Sequence, residues 1–400
     1  MKKKGLNANK IPFFLLLIFI SLCVLCFIGA SQKILVKAEE NSAENKLEES
    51  VQEQIEKLDL QALQEYLLTL DGYSKENVAE RILSYVQGTE IDYESFGKRV
   101  LSVLLEKVTD VLPAFSCIAA VTLLSGLISV MKSSANLRTS TEMITLITYA
   151  AALIPLISVL TQCFQDALNA VNAMQTQMQI FYPLLLTLMA ASGGTVSASV
   201  CRPAVAFFSD TIVSLIKSAV FPLSITIILF SMAGNLSSEL KIGKFTAFFK
   251  SINKWLIGIS VSVFGLFFSL QGITAATYDG VVKRAVKYAI GNGIPIVGGF
   301  LSGGFDLAVA SSVLIKNSLG SMGIFLMISV LFDPLILLIC VNLLLRLTAA
   351  ITQPFGDGKI ANFLEETAEN LNYCTAGLLF TAFLYFLSIM LMICSTEALF

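Results

Sequence analysis

The sequence predicts an all-α polytopic integral membrane protein, with internal helical repeats and an N-terminal extracytoplasmic helical segment. Three observations support this prediction. Hydrophobic residues make up 55% of the chain and charged residues 14%, whereas soluble domains have about 45–50% and roughly 25%. Apolar stretches long enough to cross about 30 Å of hydrocarbon recur after residue 110. An acidic segment separates these stretches from a basic, apolar leader.

The composition also excludes several classes of function. The chain has no histidine, which excludes histidine-based catalysis, histidine metal sites and histidine pH switches. A net charge of −2 does not suggest nucleic-acid binding. We find no Walker A loop, GxSxG or HExxH motif, and no CxxC among the membrane-region cysteines. We therefore predict no enzymatic activity, no metal site and no cofactor.

Residues 1–38 are predicted to be a signal peptide. Four lysines lie in the first ten residues, and the uncharged stretch Ile11–Ala30 follows. Small or aliphatic residues precede a cleavage point after Ala38, and Ala30 offers a second one. The apolar stretch is long for a signal peptide, so an uncleaved anchor is the alternative. Either outcome places the chain from residue 39 onward outside the cytoplasm.

Residues 39–110 are predicted to form an acidic extracytoplasmic helical segment. They contain 17 acidic and 7 basic residues. Leu47, Val51, Ile55 and Leu58 recur at helical spacing, with acidic side chains on the other face. The apolar stripe indicates either a small helical unit packed on itself or a docking surface for a partner protein.

Residues 111–400 are predicted to be a multi-pass membrane domain with about eight apolar helices. Backbone polar groups in hydrocarbon must be paired within the segment, which favours helices over strands. The predicted segments are Val111–Met131, Met143–Thr161, Ile180–Val200, Ile212–Met232, Trp255–Ala275, Ile294–Ile315, Ser321–Leu345 and Ala376–Cys394.

The membrane domain also has an internal repeat of about 110 residues, by its spacing of sequence landmarks. The triplets Val111-Leu112-Pro113, Val220-Phe221-Pro222 and Phe332-Asp333-Pro334 each open an apolar run. Three spans per unit would invert adjacent units, as in many transporters. If the glycine-rich helices re-enter the membrane instead, adjacent units are parallel. Both topologies place eight basic residues inside and five outside, so the positive-inside rule does not distinguish them.

Two Ser-Gly-Gly elements are candidates for broken helices that line a transport path. Pro183 precedes Ser192-Gly193-Gly194, and Pro295 precedes Ser302-Gly303-Gly304. Proline and glycine free backbone groups that can coordinate an ion or line a polar path. The alternative is close helix packing, because small residues let helix backbones approach each other.

Charged residues within apolar stretches are the other candidate functional residues, because charges are costly in lipid. Asp306 is our first choice for a functional intramembrane carboxylate, since it lies deepest by sequence, two residues after the second Ser-Gly-Gly element. Asp210 and Lys217 lie seven residues apart, on one helix face. Arg202 and Lys316 are expected to be boundary residues whose charges reach the membrane interface. Asp333 is either an intramembrane charge or the cap of a helix break beside Pro334.

The order of these features resembles the stage III sporulation protein AE family of endospore-forming Firmicutes. The resemblance rests on the leader, the acidic helical segment, the proline-initiated helices and the Ser-Gly-Gly elements. It implies a multi-pass protein of the mother-cell membrane that faces the forespore. It also implies membership of a secretion-like channel complex with ring-forming bitopic proteins and a cytoplasmic ATPase, and it supplies no catalytic residues.

Three functional hypotheses follow from the sequence. The first is a membrane core component of a secretion-like or channel-like complex that links mother cell and forespore and is required for endospore development. The second is a stand-alone secondary transporter, with its site between Gly193-Gly194 and Gly303-Gly304. The third is a scaffold that conducts nothing.

Overall fold

A computed structural model describes residues 41–69, 78–79, 82–83, 93–133, 138–236, 242–293, 298–354 and 358–397. Every regular element in these ranges is a helix, which confirms the predicted all-α class. The multi-pass prediction is also confirmed, because five described stretches are long and apolar enough to cross a bilayer. They are Ser102–Leu124, Ile147–Ala191, Thr195–Asn235, Gly304–Thr352 and Ile360–Cys394. The predicted signal peptide and Pro295 lie outside the described residues.

Two shorter helices precede a set of long ones. The shorter helices are α1 (Asn41–Lys57) and α2 (Gln61–Leu68). The long helices are α3 (Tyr93–Ser133), α4 (Arg138–Ala191), α5 (195–236), α6 (Gly243–Gly293), α7 (Gly298–Thr352) and α8 (Gly358–Glu397). Helix α5 is composite. It is α-helical over Thr195–Ala206, Val213–Leu215 and Phe221–Leu236, and π-helical over Phe207–Ile212 and Ile216–Val220.

The prediction of eight separate apolar helices is wrong. Met143–Thr161 and the first part of Ile180–Val200 belong to one unbroken helix, α4. Ser321–Leu345 shares α7 with the described part of Ile294–Ile315. Helices α4 and α7 have 54 and 55 residues. At about 1.5 Å per residue, each is roughly 80 Å long, far longer than about 30 Å of hydrocarbon.

The polar residues that divide the apolar stretches do not end the helices. Residues 162–179 of α4 contain neither glycine nor proline, so nothing in their backbone favours a turn. Pro113, Pro183 and Pro334 lie inside helices rather than at helix starts. The expectation that Asp333 caps a helix break beside Pro334 is therefore wrong, because α7 continues through both residues.

Helices α4 and α5 form a long antiparallel hairpin that is closed by the turn at Ser192–Gly194. The Tyr149 hydroxyl, near the start of α4, donates to the Met232 carbonyl near the end of α5, at 2.8 Å. Gln179, near the end of α4, donates to Asp210 near the start of α5, at 2.9 Å. The contacts on α4 are 30 residues apart, so the two helices stay together for about 45 Å.

The other long helices continue this alternation of direction. Helices α5 and α6 are antiparallel, because Asn253 of α6 donates to the Ser224 hydroxyl of α5 at 2.9 Å and Phe264 of α6 packs on Phe208 of α5 at 4.9 Å between ring centroids. Between α7 and α8, Lys316 contacts Ile393 and Asn342 contacts Ala368, so that pair is antiparallel. Two aromatic pairs join α4 and α8 in parallel, Tyr149–Phe363 at 5.1 Å and Tyr182–Tyr385 at 5.9 Å between ring centroids. Helices α4, α6 and α8 therefore run opposite to α5 and α7.

These directions bear on the relation between the predicted repeat units. Pro222 lies in α5 and Pro334 lies in α7, and these two helices run in the same direction. Equivalent landmarks on parallel helices favour parallel adjacent units over inverted ones. The internal repeat itself stays a prediction.

The acidic segment is docked on the long helices rather than packed only on itself. Val51 and Ile55 of α1 are buried, as the apolar stripe predicts. Gln54 donates to the Ala308 carbonyl at 3.0 Å and to the Ser311 hydroxyl at 2.7 Å, both on α7. Helices α1 and α2 thus lie near the start of α7 and the end of α4. We call this the upper end of the bundle; at the lower end α5 and α7 end and α6 and α8 begin.

Candidate functional site

The first Ser-Gly-Gly element is a tight turn between two helices. The Gly194 amide donates to the Met189 carbonyl at 2.9 Å, and the Gly193 amide donates to the Ala190 carbonyl at 3.1 Å. This pattern is a Schellman motif, in which the helix ends on a residue of left-handed conformation. Gly193 has φ of 93°, which glycine adopts without steric cost. Thr195 then begins α5, so these glycines close the hairpin.

The second Ser-Gly-Gly element does not break its helix. Ser302, Gly303 and Gly304 all lie within α7, which begins at Gly298. The expectation of a break at Gly303-Gly304 is therefore wrong, because the long helix incorporates glycines that cost about 1 kcal/mol each relative to alanine. The two elements do not provide the matching pair of broken helices on which the transporter hypothesis rests.

The predicted charged residues are distributed differently from the expectation. Asp306 and Asp333 are both exposed on the surface of α7, and their role as intramembrane charges stays a prediction. Lys316 is fully buried, and its Nζ donates to the Ile393 carbonyl at 2.7 Å. The expectation that Lys316 reaches the membrane interface is wrong, because its side chain instead joins α7 to the end of α8. Arg202 is exposed on α5.

Asp210 and Lys217 do share one face of α5, and both bind glutamines of α4. The Lys217 Nζ donates to Gln175 Oε1 at 2.8 Å. The Gln175 amide donates to the Ser209 carbonyl at 3.0 Å, and the Gln179 amide donates to Asp210 at 2.9 Å. We call Gln175, Gln179, Ser209, Asp210 and Lys217 the polar seam. The seam joins the two helices of the hairpin near its upper half.

The π-helical segments of α5 place the residues of this seam. Ser209 and Asp210 belong to the first segment, and Lys217 belongs to the second. A π-turn is rare and replaces the usual i→i+4 bonding, and such turns occur frequently at functional sites. Here the Ser209 carbonyl accepts a hydrogen bond from a side chain of the neighbouring helix. The two glutamines are not among the residues predicted from the sequence, although their spacing of four places them on one face of α4.

Two grooves lie between α4 and α5, one on each side of the seam. The apolar groove measures about 350 Å³ and runs toward the lower end. It is lined by Ile157, Leu160, Thr161, Phe164, Gln165, Leu168, Lys217, Phe221, Pro222, Ile225, Ile228, Leu229 and Met232. The polar groove measures about 390 Å³ and lies toward the upper end. It is lined by Met178, Tyr182, Pro183, Leu186, Thr187, Arg202, Val205, Ala206, Ser209 and Asp210.

A second group of polar side chains joins the helices at the lower end. Asn235 of α5 donates to Glu366 of α8 at 3.2 Å. Asn370 of α8 donates to the Ser231 hydroxyl of α5 at 3.1 Å. We call these four residues the lower polar cluster. Polar side chains hold helices together in a bilayer by pairing with each other, so the cluster fixes α8 against α5.

A third polar contact holds α2 on the bundle. The fully buried Gln177 amide of α4 donates to the Tyr66 hydroxyl at 2.9 Å. The other end of this amide has no hydrogen-bond partner among the described residues. Burial raises the pKa of Tyr66 above its ordinary value, and the hydrogen bond from Gln177 opposes that shift. Docking of α2 therefore favours the neutral form of the Tyr66 side chain.

These arrangements can bind and position groups, and they offer no recognisable reaction centre. The described residues contain no group of three or more His, Cys, Asp or Glu side chains that could hold a metal ion. The polar seam and its two grooves are the best candidate site. They combine a cation, a carboxylate and adjacent space between two helices that cross the membrane.

Comparison with known proteins gives two matches. Residues 77–396 match the family described as "Stage III sporulation protein AE (spore_III_AE)". The chain is also 30% identical over 251 residues to the stage III sporulation protein AE of Bacillus subtilis (strain 168). That match covers 62% of this chain and 63% of the relative, just under two thirds of its length. No solved structure matches the chain.

Proposed function

Because the chain belongs to the stage III sporulation protein AE family, which makes it a membrane protein with a role in sporulation, we propose that it is the membrane core of a secretion-like or channel-like complex. This complex links the mother cell and the forespore and is required for endospore development. The chain lies in the mother-cell membrane around the forespore, with residues 39–110 in the space between the two membranes. It has no catalytic role of its own.

The observation that carries this proposal is the length of the helices together with the position of α1 and α2. Helices α4 and α7, each roughly 80 Å long, extend far beyond about 30 Å of hydrocarbon. The bundle therefore has a rigid helical part outside the bilayer. Helices α1 and α2 are fixed to the upper end of the bundle by Gln54 and Tyr66. A rigid projection into the intermembrane space supports a docking role for ring-forming bitopic partners.

Co-purification from sporulating cells tests this proposal. A tagged full-length chain replaces the native copy in an endospore former, and membranes are solubilised during engulfment. We expect bitopic sporulation proteins to co-purify in fixed proportion, together with a cytoplasmic ATPase, and a null strain to arrest spore development. An untagged strain and a tagged unrelated multi-pass protein serve as controls. Recovery of the chain alone as a fully functional oligomer would exclude the proposal.

The stand-alone transporter remains the second candidate, and Asp306 provides its test. A transporter of this type needs paired broken helices at its site, but α7 is continuous through Gly303 and Gly304. If Asp306 nevertheless serves a transport site, Asp306→Asn abolishes spore formation while the protein accumulates normally. We expect Asp306→Asn to leave spore formation unchanged, since the side chain is exposed at the surface of the bundle.

A further inference from the structure

Lys217 is a half-buried cation in the middle of the α4–α5 hairpin. Its ammonium group donates to Gln175 Oε1 at 2.8 Å. In the part of the chain that the structure describes, no carboxylate lies within ion-pair distance of Lys217. Asp210, the acidic residue of the polar seam, accepts a hydrogen bond from Gln179 instead. An ammonium has three donors, so Lys217 retains capacity to bind an anion.

Lys217 stands at one end of the apolar groove and is its only charged lining residue. From Lys217 the groove follows α5 past Phe221, Ile225 and Leu229 to Met232. From residue 217 to residue 232 the helix rises by about 22 Å. One leaflet contributes about 15 Å of hydrocarbon, half of the core thickness. The groove is thus long enough for a lipid tail and the start of its headgroup.

We propose that this groove binds an anionic phospholipid, whose phosphate pairs with Lys217 and whose acyl chain lies against Phe221, Ile225 and Leu229. The groove has a single cationic end and an otherwise apolar wall, which is complementary to one anionic headgroup on one apolar tail. Basic pockets between membrane helices bind anionic headgroups by this chemistry.

Lipid binding to the purified full-length chain tests this inference. The chain is delipidated in detergent and titrated with phosphatidylglycerol or phosphatidylcholine, and bound lipid is counted by native mass spectrometry. We expect Lys217→Gln to weaken phosphatidylglycerol binding about fivefold, the effect of one basic residue near an anionic lipid. Lys217→Arg keeps the charge and should keep the preference for phosphatidylglycerol. Lys254→Gln is the matched control, because Lys254 is exposed on α6 and does not line the groove.

A fluorescence measurement locates the lipid. The chain has one tryptophan, exposed Trp255, so Trp255→Phe combined with Phe221→Trp places a single reporter in the groove. We expect phosphatidylglycerol brominated on its acyl chain to quench this reporter, and Lys217→Gln to reduce the quenching. Equal affinity for the two lipids in the unchanged chain, or an equal loss in Lys254→Gln, overturns the inference. The inference is also overturned if the purified chain is a dimer that retains no lipid and in which the tryptophan reporter is shielded from solvent. That result would assign the groove to a second copy of the chain.

Discussion

At the scale of single residues, Gly193 has the most specific conformational role in the turn between α4 and α5. Its φ of 93° is in the left-handed region, and it is the glycine recorded there among the described residues. A Cβ atom in that region costs about 1–2 kcal/mol. Gly194 follows with φ of −85°, which any L-residue adopts. The two adjacent glycines therefore differ in what a side chain would cost.

We predict that Gly193→Ala destabilises the protein by about 1–2 kcal/mol, while Gly194→Ala changes its stability much less. Unfolding by titration with sodium dodecyl sulfate in mixed micelles measures both variants against the unchanged chain. Equal losses in the two variants would show that space, and not the backbone conformation of Gly193, limits the turn.

The raised pKa of Tyr66 should make the docking of α2 depend on pH. Burial raises its pKa above the ordinary value near 10. The folded state therefore favours the neutral phenol, and this stabilising contribution is complete below pH 10. It is lost as pH rises through the raised pKa, because the undocked tyrosine ionises first.

We predict that Tyr66→Phe removes this pH-dependent loss of docking above pH 10. Below pH 10 the variant loses about 1 kcal/mol, since the buried Gln177 amide loses its partner. Hydrogen exchange of α2 at pH 8 and pH 11 measures both effects. Identical pH profiles for the variant and the unchanged chain would contradict this origin of the pH dependence.

The sequence was informative about residues whose chemistry is local and uninformative about those that depend on partners. The α1 stripe of Val51 and Ile55 is buried as predicted, because helical period alone fixes its face. Lys316 was assigned incorrectly and Gln175 was not assigned at all, because their partners Ile393 and Lys217 lie far along the chain. Hydropathy identifies a charge in an apolar stretch, but only the packing shows whether it is buried or exposed.

At the scale of helices, docking of α1 on α7 depends on one side chain more than on the acidic face around it. Gln54 donates to Ala308 and Ser311 and accepts from Ser312 at 2.8 Å. The neighbouring Glu53 is exposed, and its ion pair with Lys57 stays within α1. The charge pattern of the segment therefore does not hold it on the bundle.

We predict that Gln54→Ala loosens α1 by about 1–3 kcal/mol, because several partly buried hydrogen bonds are lost together. Glu53→Ala should leave docking unchanged, since exposed ion pairs contribute little. Limited proteolysis and hydrogen exchange over residues 41–57 report the docking. Faster cleavage of Glu53→Ala than of Gln54→Ala would assign docking to the charges instead.

Helix boundaries were the weakest part of the prediction, and the reason is physical. A window of apolar residues ends where Gln, Asn and Asp begin, as in residues 162–179, but helical hydrogen bonding continues through good helix formers. Conversely, the break at Gly193 depends on a Schellman motif that also needs the turn of α5 onto α4. The same Ser-Gly-Gly letters within α7 remain helical.

At the scale of the whole molecule, the alternating helices assign α1 and the Ser192–Gly194 turn to the upper end. The last residues of α5 and α7 and the first residues of α6 and α8 lie at the lower end. Phe245 and Phe248, which begin α6 there, are exposed, with exposed fractions of 63% and 59%. Exposed aromatic residues beside Lys244 and Lys250 fit a membrane interface.

We predict that the two ends lie on opposite sides of the membrane. Single cysteines introduced as Glu56→Cys and Lys244→Cys, in a chain without its native cysteines, should react with a membrane-impermeant maleimide from opposite sides. Inverted and right-side-out vesicles supply the two exposures, and permeabilised vesicles confirm that each cysteine is reactive. Labelling of both cysteines from one side would contradict the arrangement of α4 to α8 as crossing helices.

The position of α8 has a consequence for how the protein is made. Among the five candidate spans, the one in α8 is the most buried, and it is also the last in chain order. It contacts α4 through Tyr385 and α5 through Asn370. Because chains are synthesised from the N-terminus, the earlier helices enter the membrane with the cleft for α8 still empty. The packed bundle is therefore completed only after α8 has been translated.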